Sequence, residues 1–310
     1  MAKRSNRPLN NMELVEHFLE NVLSMDLDSD KGYSIVPKIV STELNIENFD
    51  ESLISVNSKS YRSSKYRKDQ ARIKLWRQIV TELLSMKRLK SDEGIRLKKG
   101  GAFPNSGVRI EREAYIIIGL PASGKSSISN RIADEFGAII LDSDYAKRKL
   151  PEFNALPFGA TLVHEESDRI VFGDPNNKED FRSLFDHCIE LNANIVIPKI
   201  GSNVKGINIL IDTLLKVEYK VNLTLLELDR VKATKRALER FITTDRYVPL
   251  SLIFDTYGNH PTITYFKIVE QRKEDLKSYG IISNDVAKNK SPVKIFSSND
   301  YNPAILYSNG

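Results

Sequence analysis

Gly119-Leu-Pro-Ala-Ser-Gly124-Lys125-Ser126 fits the pattern G-x-x-x-x-G-K-S/T, and no other segment restricts the fold of this chain as tightly. The pattern is a phosphate loop only where a strand runs in and a helix runs out. Both are predicted. Tyr115 to Ile118 is an apolar run bounded by Gly119, as a buried parallel strand requires, and Lys125 to Phe136 reads as a helix. Glycines let successive backbone N–H groups curl around a polyphosphate, and the helix N-terminus adds positive potential. Gly119, Pro121, Ala122, Ser123, Gly124, Lys125, Ser126 and Ser127 are therefore the candidate nucleotide-binding residues. Lys125 is expected at the β/γ-phosphates and the Ser126 hydroxyl on a metal ion, which implies ATP and Mg²⁺.

The rhythm that follows points the same way. Ala138 to Leu141, Asn194 to Ile197 and Val221 to Leu228 read as further strands, and Lys178 to Leu191, Val204 to Val217 and Val231 to Ile242 as helices. That alternation predicts an α/β fold: a mostly parallel P-loop NTPase/kinase-like sheet flanked by helices, with an N-terminal helical extension. At 310 residues, 41% apolar and 28% charged, the chain can bury a large core, and collagen-like, disordered and disulfide-scaffold classes are excluded. The single Cys188 excludes an intramolecular disulfide and a CxxC zinc cluster. No run of about 18 apolar residues exists, so neither a spanning helix nor a membrane partner is expected. The basic N-terminus has no apolar stretch directly behind it, and a reducing, cytoplasmic setting is the expectation.

The first third reads differently. Asn11 to Leu23 is predicted helical, with Met12, Val15, Phe18, Leu19, Val22 and Leu23 at three- and four-residue steps. The stretch to about Lys59 is polar and strand-ambiguous. Tyr66 to Lys90 is a second amphipathic helix, with Ile73, Trp76, Ile79, Val80, Leu83 and Leu84 on its apolar side. Ser91 to Gly107, broken by Gly94, Gly100, Gly101 and Pro104, is a linker or ordered loop. Residues 1–107 are thus expected to form a basic, mainly helical extension and 108–310 a P-loop kinase domain. Net charge is +5, yet Lys59 to Lys99 alone holds fourteen Lys/Arg against four Asp/Glu, a local +10 that leaves −5 elsewhere. Such an excess suits an acidic partner, a membrane surface or nucleic acid, and equally a solvated helix face. No nucleic-acid-binding motif accompanies it, so nucleic acid is not the favoured partner.

Leu141-Asp142-Ser143-Asp144 closes the second strand, and ligands of open α/β sheets sit beyond the carboxyl ends of the strands. One carboxylate there can orient an acceptor hydroxyl or take its proton, while either acid also suits a helix N-cap. Arg236 and Arg240, four apart, share a helix face, and Arg246 follows a short polar break. Guanidinium groups clamp phosphate oxygens and neutralise transition-state charge; Glu239 and Asp245 offer ordinary salt bridges instead.

Three blocks, GLPASGKSS, LDSDYAKRKLPEF and ALERFITTDRYVP, in that order, resemble the zeta toxin family of P-loop kinases over roughly Ala114 to Pro261. The resemblance implies ATP-dependent phosphorylation of a hydroxyl on UDP-N-acetylglucosamine or a nucleotide-like metabolite, held in check by an antitoxin protein. It implies Walker A roles for Lys125 and Ser126. It makes Asp144 the base and makes Arg240 and Arg246 the pair gripping the transferred phosphate; Asp142, at the same strand end, is the candidate acceptor-binding acid. The third strand departs from the family. It ends Pro198-Lys199 where the familiar toxins carry an acidic residue, so Lys199 is expected to favour a more anionic acceptor.

His164 and Asp168 can face one way on a helix, with His164 at the acceptor or merely solvated; no third metal ligand is apparent. Asp229, ending the fourth strand, suits either the metal shell or an N-cap. Val248 to Pro261, rich in Tyr and Phe, reads as core or substrate wall. A small-molecule kinase is favoured by the two acids; its rival is a nucleotide-dependent regulatory or nucleic-acid-associated NTPase, favoured by the basic helix. The N-terminal third is expected to serve as packing, as an inhibitory module or as a partner-binding one.

Overall fold

A strand buried on both faces needs apolar residues at every position, and Glu113–Ile118 (β1) supplies them almost throughout. Around it a six-stranded sheet forms in the order β2-β3-β1-β4-β5-β6, with β2 Ile139–Ile140, β3 Ile195–Lys199, β4 Lys220–Glu227, β5 Leu276–Ser283 and β6 Val293–Ser297. All neighbours are parallel except β6, which runs antiparallel to β5. The computed structural model describes residues 5–27, 30–155, 158–174, 181–287 and 290–308. Among them no helix is long and apolar enough to cross a membrane.

Helices cover the sheet: α1 Met12–His17, α2 Asp30–Glu47, α3 Asp69–Ser85, α4 Lys125–Phe136, α5 Ser143–Lys149, α6 Gly159–Leu162, α7 His164–Phe172, α8 Leu184–Glu190, α9 Val204–Lys216, α10 Arg230–Thr244 and α11 His260–Arg272. The predicted strands and the helix after the phosphate loop fall where the sequence places them. Three expectations need correction. The stretch before Lys59, read as strand-ambiguous, contains the 18-residue α2. Its buried Ile35, Val36, Ile39 and Glu43 keep helical spacing, but Pro37 and the β-branched residues mask it. The helix expected over 66–90 is shorter and begins at Asp69. The one expected over 178–191 begins at Leu184, behind a Ser183–Asp186 capping box; residues 178–180 lie outside the described residues. Beyond Pro261 no element was expected, and α11, β5 and β6 stand there.

Two cores organise the packing. In one, Phe49, Leu75, Trp76, Ile79 and Leu83 from the first third pack with β1, β3 and β4. In the other, Val15, Leu19, Leu23 and Ile39 meet Ala233, Ala237 and Phe241 of α10 and Leu120 of the phosphate loop. Part of the first third therefore lies directly behind the segment that carries the candidate arginines.

Candidate active site

The carboxyl ends of β1, β2 and β3 open onto a cavity of about 1030 Å³. The phosphate loop forms one wall. Gly124 has φ 95°, a left-handed conformation that favours glycine, and a Cβ there would stand 2.5 Å from Asn284 Nδ2. A Cβ on Gly119 would meet the Leu226 carbonyl oxygen at 2.7 Å. Asn284, just beyond β5, donates from Nδ2 to the Ser123 carbonyl at 2.6 Å and braces the loop. Gly124 caps α4 with no side-chain bond, so nothing from the cap competes for the first-turn N–H groups. The buried Ser123 Oγ has no hydrogen-bond partner. Pro121, Ala122, Gly124, Lys125, Ser126 and Ser127 line the cavity, whereas Gly119 and Ser123 do not. Lys125 Nζ donates to the carbonyls of Gly119 and Leu120 at 2.7 and 2.6 Å. Burial pushes its pKa down to about 8, with Asp142 opposing.

Opposite the loop stand the two acids. Asp142 is the N-cap of α5, its Oδ1 accepting from the Asp144 N–H at 2.9 Å, so the capping role and a place on the cavity coincide. Burial and the neighbouring Asp144 charge raise the Asp142 pKa. Burial acts on Asp144 in the same direction but is more than offset by Lys147 and Arg246, which hold it well below the carboxylate range. Lys147 Nζ lies 2.9 Å from Asp144 Oδ1, and Arg246 Nη2 is paired with Asp144 Oδ2. Arg246 Nη1 also reaches Glu93 Oε1 at 3.4 Å. Arg240, on α10, has a buried Nε without a partner; burial, reinforced by Arg246, lowers its pKa to about 10. An under-satisfied guanidinium on a cavity wall is poised for an anion.

The cavity is also lined by His164, Asp168, Phe172 and Lys199. Lys199 Nζ stands over the Phe172 ring, 3.7 Å from its centroid, and burial lowers its pKa against the pull of Asp168 and Asp142. His164 Nε2 lies 3.9 Å from Asp168 Oδ2, and burial together with Lys147 keeps the imidazole neutral. Among the described residues no group of three His, Cys, Asp or Glu side chains is placed to hold a metal. Asp229 is an N-cap, accepting from Val231 and Lys232 of α10, and does not line the cavity. The Val248–Pro261 stretch is both wall and core: Val248, Pro249, Leu252 and Tyr257 line the cavity, while Leu250 and Ile253 are buried.

Sequence reasoning missed Asn284, Lys147, Glu93 and Tyr247. Lys147 had a signal, three residues after Asp144 on a short helix. Asn284 had none, being 161 residues from the Ser123 that it holds.

Comparison with known proteins agrees with this architecture. The sequence profile described as Zeta toxin matches residues 106–292. A structure from the PezAT chromosomal toxin–antitoxin system of Streptococcus pneumoniae superposes with a TM-score of 0.53 at 15% identity, covering 77% of this chain and 87% of that one. At that identity the likeness shows the fold. An AvrRxo1-ORF1:-ORF2 complex with ATP gives 0.46 at 17% identity over 76% of this chain and 68% of that chain. A gluconokinase from Sinorhizobium meliloti 1021 gives 0.30 at 15% identity over 58% and 86%. No curated protein matches. With the profile spanning more than half of its length, and the fold and phosphate loop in place, the chain belongs to the zeta toxin family.

Proposed function

We propose that this protein transfers the γ-phosphoryl group of ATP, as its Mg²⁺ complex, to a hydroxyl of an anionic, nucleotide-sugar or nucleotide-like acceptor. In this reading it is the cytoplasmic toxin of a toxin–antitoxin pair. The observation that carries the chemistry is the convergence of Lys125, Ser126, Asp142, Asp144, Arg240 and Arg246, from three separate segments, on one cavity. Membership of the family and the likeness to the PezAT system support the toxin role.

The residues divide the work. Phosphate oxygens draw the Lys125 ammonium away from the loop carbonyls, and the first-turn N–H groups of α4 face the same oxygens. The donor set suits a hard cation carried mainly by the nucleotide: the Ser126 hydroxyl and the Asp142 carboxylate would hold it, and it would supply charge neutralisation there. Asp144, kept ionised by Lys147 and Arg246, orients the acceptor hydroxyl. As the hydroxyl oxygen bonds to the γ-phosphorus, the β–γ bridging P–O bond breaks and ADP leaves. The hydroxyl proton, made acidic once its oxygen bonds to phosphorus, passes to Asp144 and on to solvent. Arg240 and Arg246 stabilise the charge spread over the transferring group.

Lys125 must carry its proton to receive a polyphosphate. With a free-enzyme pKa of about 8, kcat/KM for ATP falls as pH rises through that value. Meanwhile kcat holds to higher pH, because bound phosphate raises the lysine's proton affinity again. A kcat/KM that stays flat between about pH 7 and 9 contradicts this role.

Lys199 sets the acceptor class: its ammonium lines the cavity over the Phe172 ring, where burial disfavours its charge against the pull of Asp168 and Asp142, so an anionic group stabilises it. Lys199→Glu is expected to raise KM for the acceptor by about 10–100-fold and leave KM for ATP unchanged. Incubation with Mg·ATP and cell extract, followed by mass spectrometry of the phosphorylated product, tests the reading as a whole. Ranking UDP-sugars against NAD and free nucleotides tests the Lys199 argument, and exclusive use of a UDP-sugar overturns the shift to a more anionic acceptor. Label released only as free phosphate selects the NTPase alternative, for which the exposed Lys65, Lys68, Lys74, Lys87 and Lys90 around α3 supply a nucleic-acid face.

A further inference from the structure

Arg246 is set between two residues that α2 holds, although α2 lies wholly outside the matched region 106–292. On one side, Asp245 ends α10 in a left-handed turn, φ 57°, which swings the chain off the helix axis. Its carboxylate is paired with Lys38 of α2, and the same Lys38 Nζ stands 4.8 Å from the centroid of the Phe241 ring. On the other side, the Tyr247 hydroxyl donates to Glu43 Oε1 of α2 at 2.5 Å. Glu43 is 2% exposed, and the Tyr247 and Phe241 rings meet edge to face at 4.7 Å. Ile46, one turn further on, lines the cavity itself.

Apart from these ties, the backbone of 245–247 is held by the Asp245 N–H on the Phe241 carbonyl and the Arg246 N–H on the Thr244 hydroxyl, and the Arg246 side chain by Asp144 and Glu93. It is neither helix nor strand, and its chain path depends on one residue at positive φ. Arg246 carries a long, rotamer-rich side chain, and its reach to Asp144 depends on where its backbone stands. A guanidinium misplaced by an ångström loses most of its effect on a transferring phosphate. The two ties leave α2 at Lys38, which is exposed, and at Glu43, which is buried, and the apolar residues of α1 and α2 seat that helix against α10.

We propose that α2 is a positioning element of the active site: Lys38 and Glu43 clamp Asp245 and Tyr247 so that Arg246 is delivered to Asp144 and the transferring phosphate. This rests on the kinase reading above for its catalytic consequence, but not for the clamp. The first third of the chain is then a required part of the site and not a removable restraint, and cutting it away lowers the rate.

The test uses the full chain and the double variant Lys38→Ala/Tyr247→Phe, which removes both ties and keeps the aromatic ring. Amide hydrogen exchange at residues 244–248 is expected to rise by about tenfold or more, while exchange in β1 and α4 stays as in the wild type. In turnover assays kcat is expected to fall about tenfold, with KM for ATP within about twofold. Lys38→Arg, which keeps the cation, recovers most of the rate lost in Lys38→Ala. Exchange at 244–248 that ignores the double variant overturns the clamp whatever the turnover shows. An accelerated exchange with kcat unchanged or raised overturns the positioning role. Wild-type protein that transfers phosphate to no acceptor defeats the kinase reading and the catalytic half of this proposal, and the exchange result then decides the clamp alone.

Discussion

Lys125→Ala is expected to lower phosphoryl transfer by about 10³-fold while the protein keeps its fold and its melting temperature. In the proposed reaction the ammonium is the group of the phosphate loop that meets the developing charge directly, and alanine offers nothing in its place. Stability behaves differently because the lysine is not comfortable where it stands. Burial lowers its pKa from the ordinary lysine range to about 8, so folding weakens its hold on the proton. Its ammonium donates to two loop carbonyls, those of Gly119 and Leu120. Removing it leaves Tm unchanged or slightly raised. Product formation by mass spectrometry, together with a thermal melt of the same preparation, checks both halves. A variant that turns over normally ends the assignment of the loop, and a variant that is unfolded leaves the rate uninterpretable until Lys125→Met is measured.

The largest effect on stability is expected at Arg72→Ala. Arg72, 2% exposed, holds two buried carboxylates at once. Its Nη1 and Nη2 donate to Glu152 at 2.9 Å each, a bidentate pair, while Nε and Nη2 donate to Glu166, Nη2 at 2.7 Å. Glu166 also accepts from Trp76 Nε1 at 2.5 Å and from the Ser55 hydroxyl, and Glu152 accepts from the Ser63 N–H at 2.7 Å. Taking away the guanidinium strands two acids in a dry core, which costs about 3–5 kcal/mol. At about 2.1 cal/mol/K per residue this lowers Tm by about 5–8 °C for a chain of this length. Since α7 carries His164 and Asp168 as well as Glu166, that wall of the cavity is expected to loosen with it. Differential scanning calorimetry of the variant is the measurement, and a melt within about 1 °C of wild type contradicts the ledger of buried charge. Arg72→Met with both glutamates made apolar isolates the cause: with no stranded acids, most of the loss is expected to return.

Much of the site was legible because its signals are local. The phosphate loop is contiguous, its strand and helix adjoin it, and Asp142 and Asp144 end the next strand. Arg240 and Arg246 were legible through their block. Asp142 shows where a choice between readings was false: it caps α5 and lines the cavity with the same side chain. Asp229 shows the opposite, a strand-end acid that only caps. Helix α2 was hidden by Pro37 and by β-branched residues, although its buried positions kept helical spacing.

What the sequence by itself determined is the chemistry available: a polyphosphate cradle, a pair of acids beside it, a set of arginines beyond it, and a parallel sheet to carry them. These depend on neighbours along the chain, where spacing and periodicity are readable. What only the tertiary structure decided is how that chemistry is held. Asn284 behind the loop, Glu93 on Arg246, Lys38 and Glu43 on the residues flanking it, and Arg72 between Glu152 and Glu166 all join distant parts of the chain. A charged side chain on an amphipathic helix looks the same in sequence whether water or a buried counter-charge receives it, and only packing in three dimensions removes the water and settles the partner.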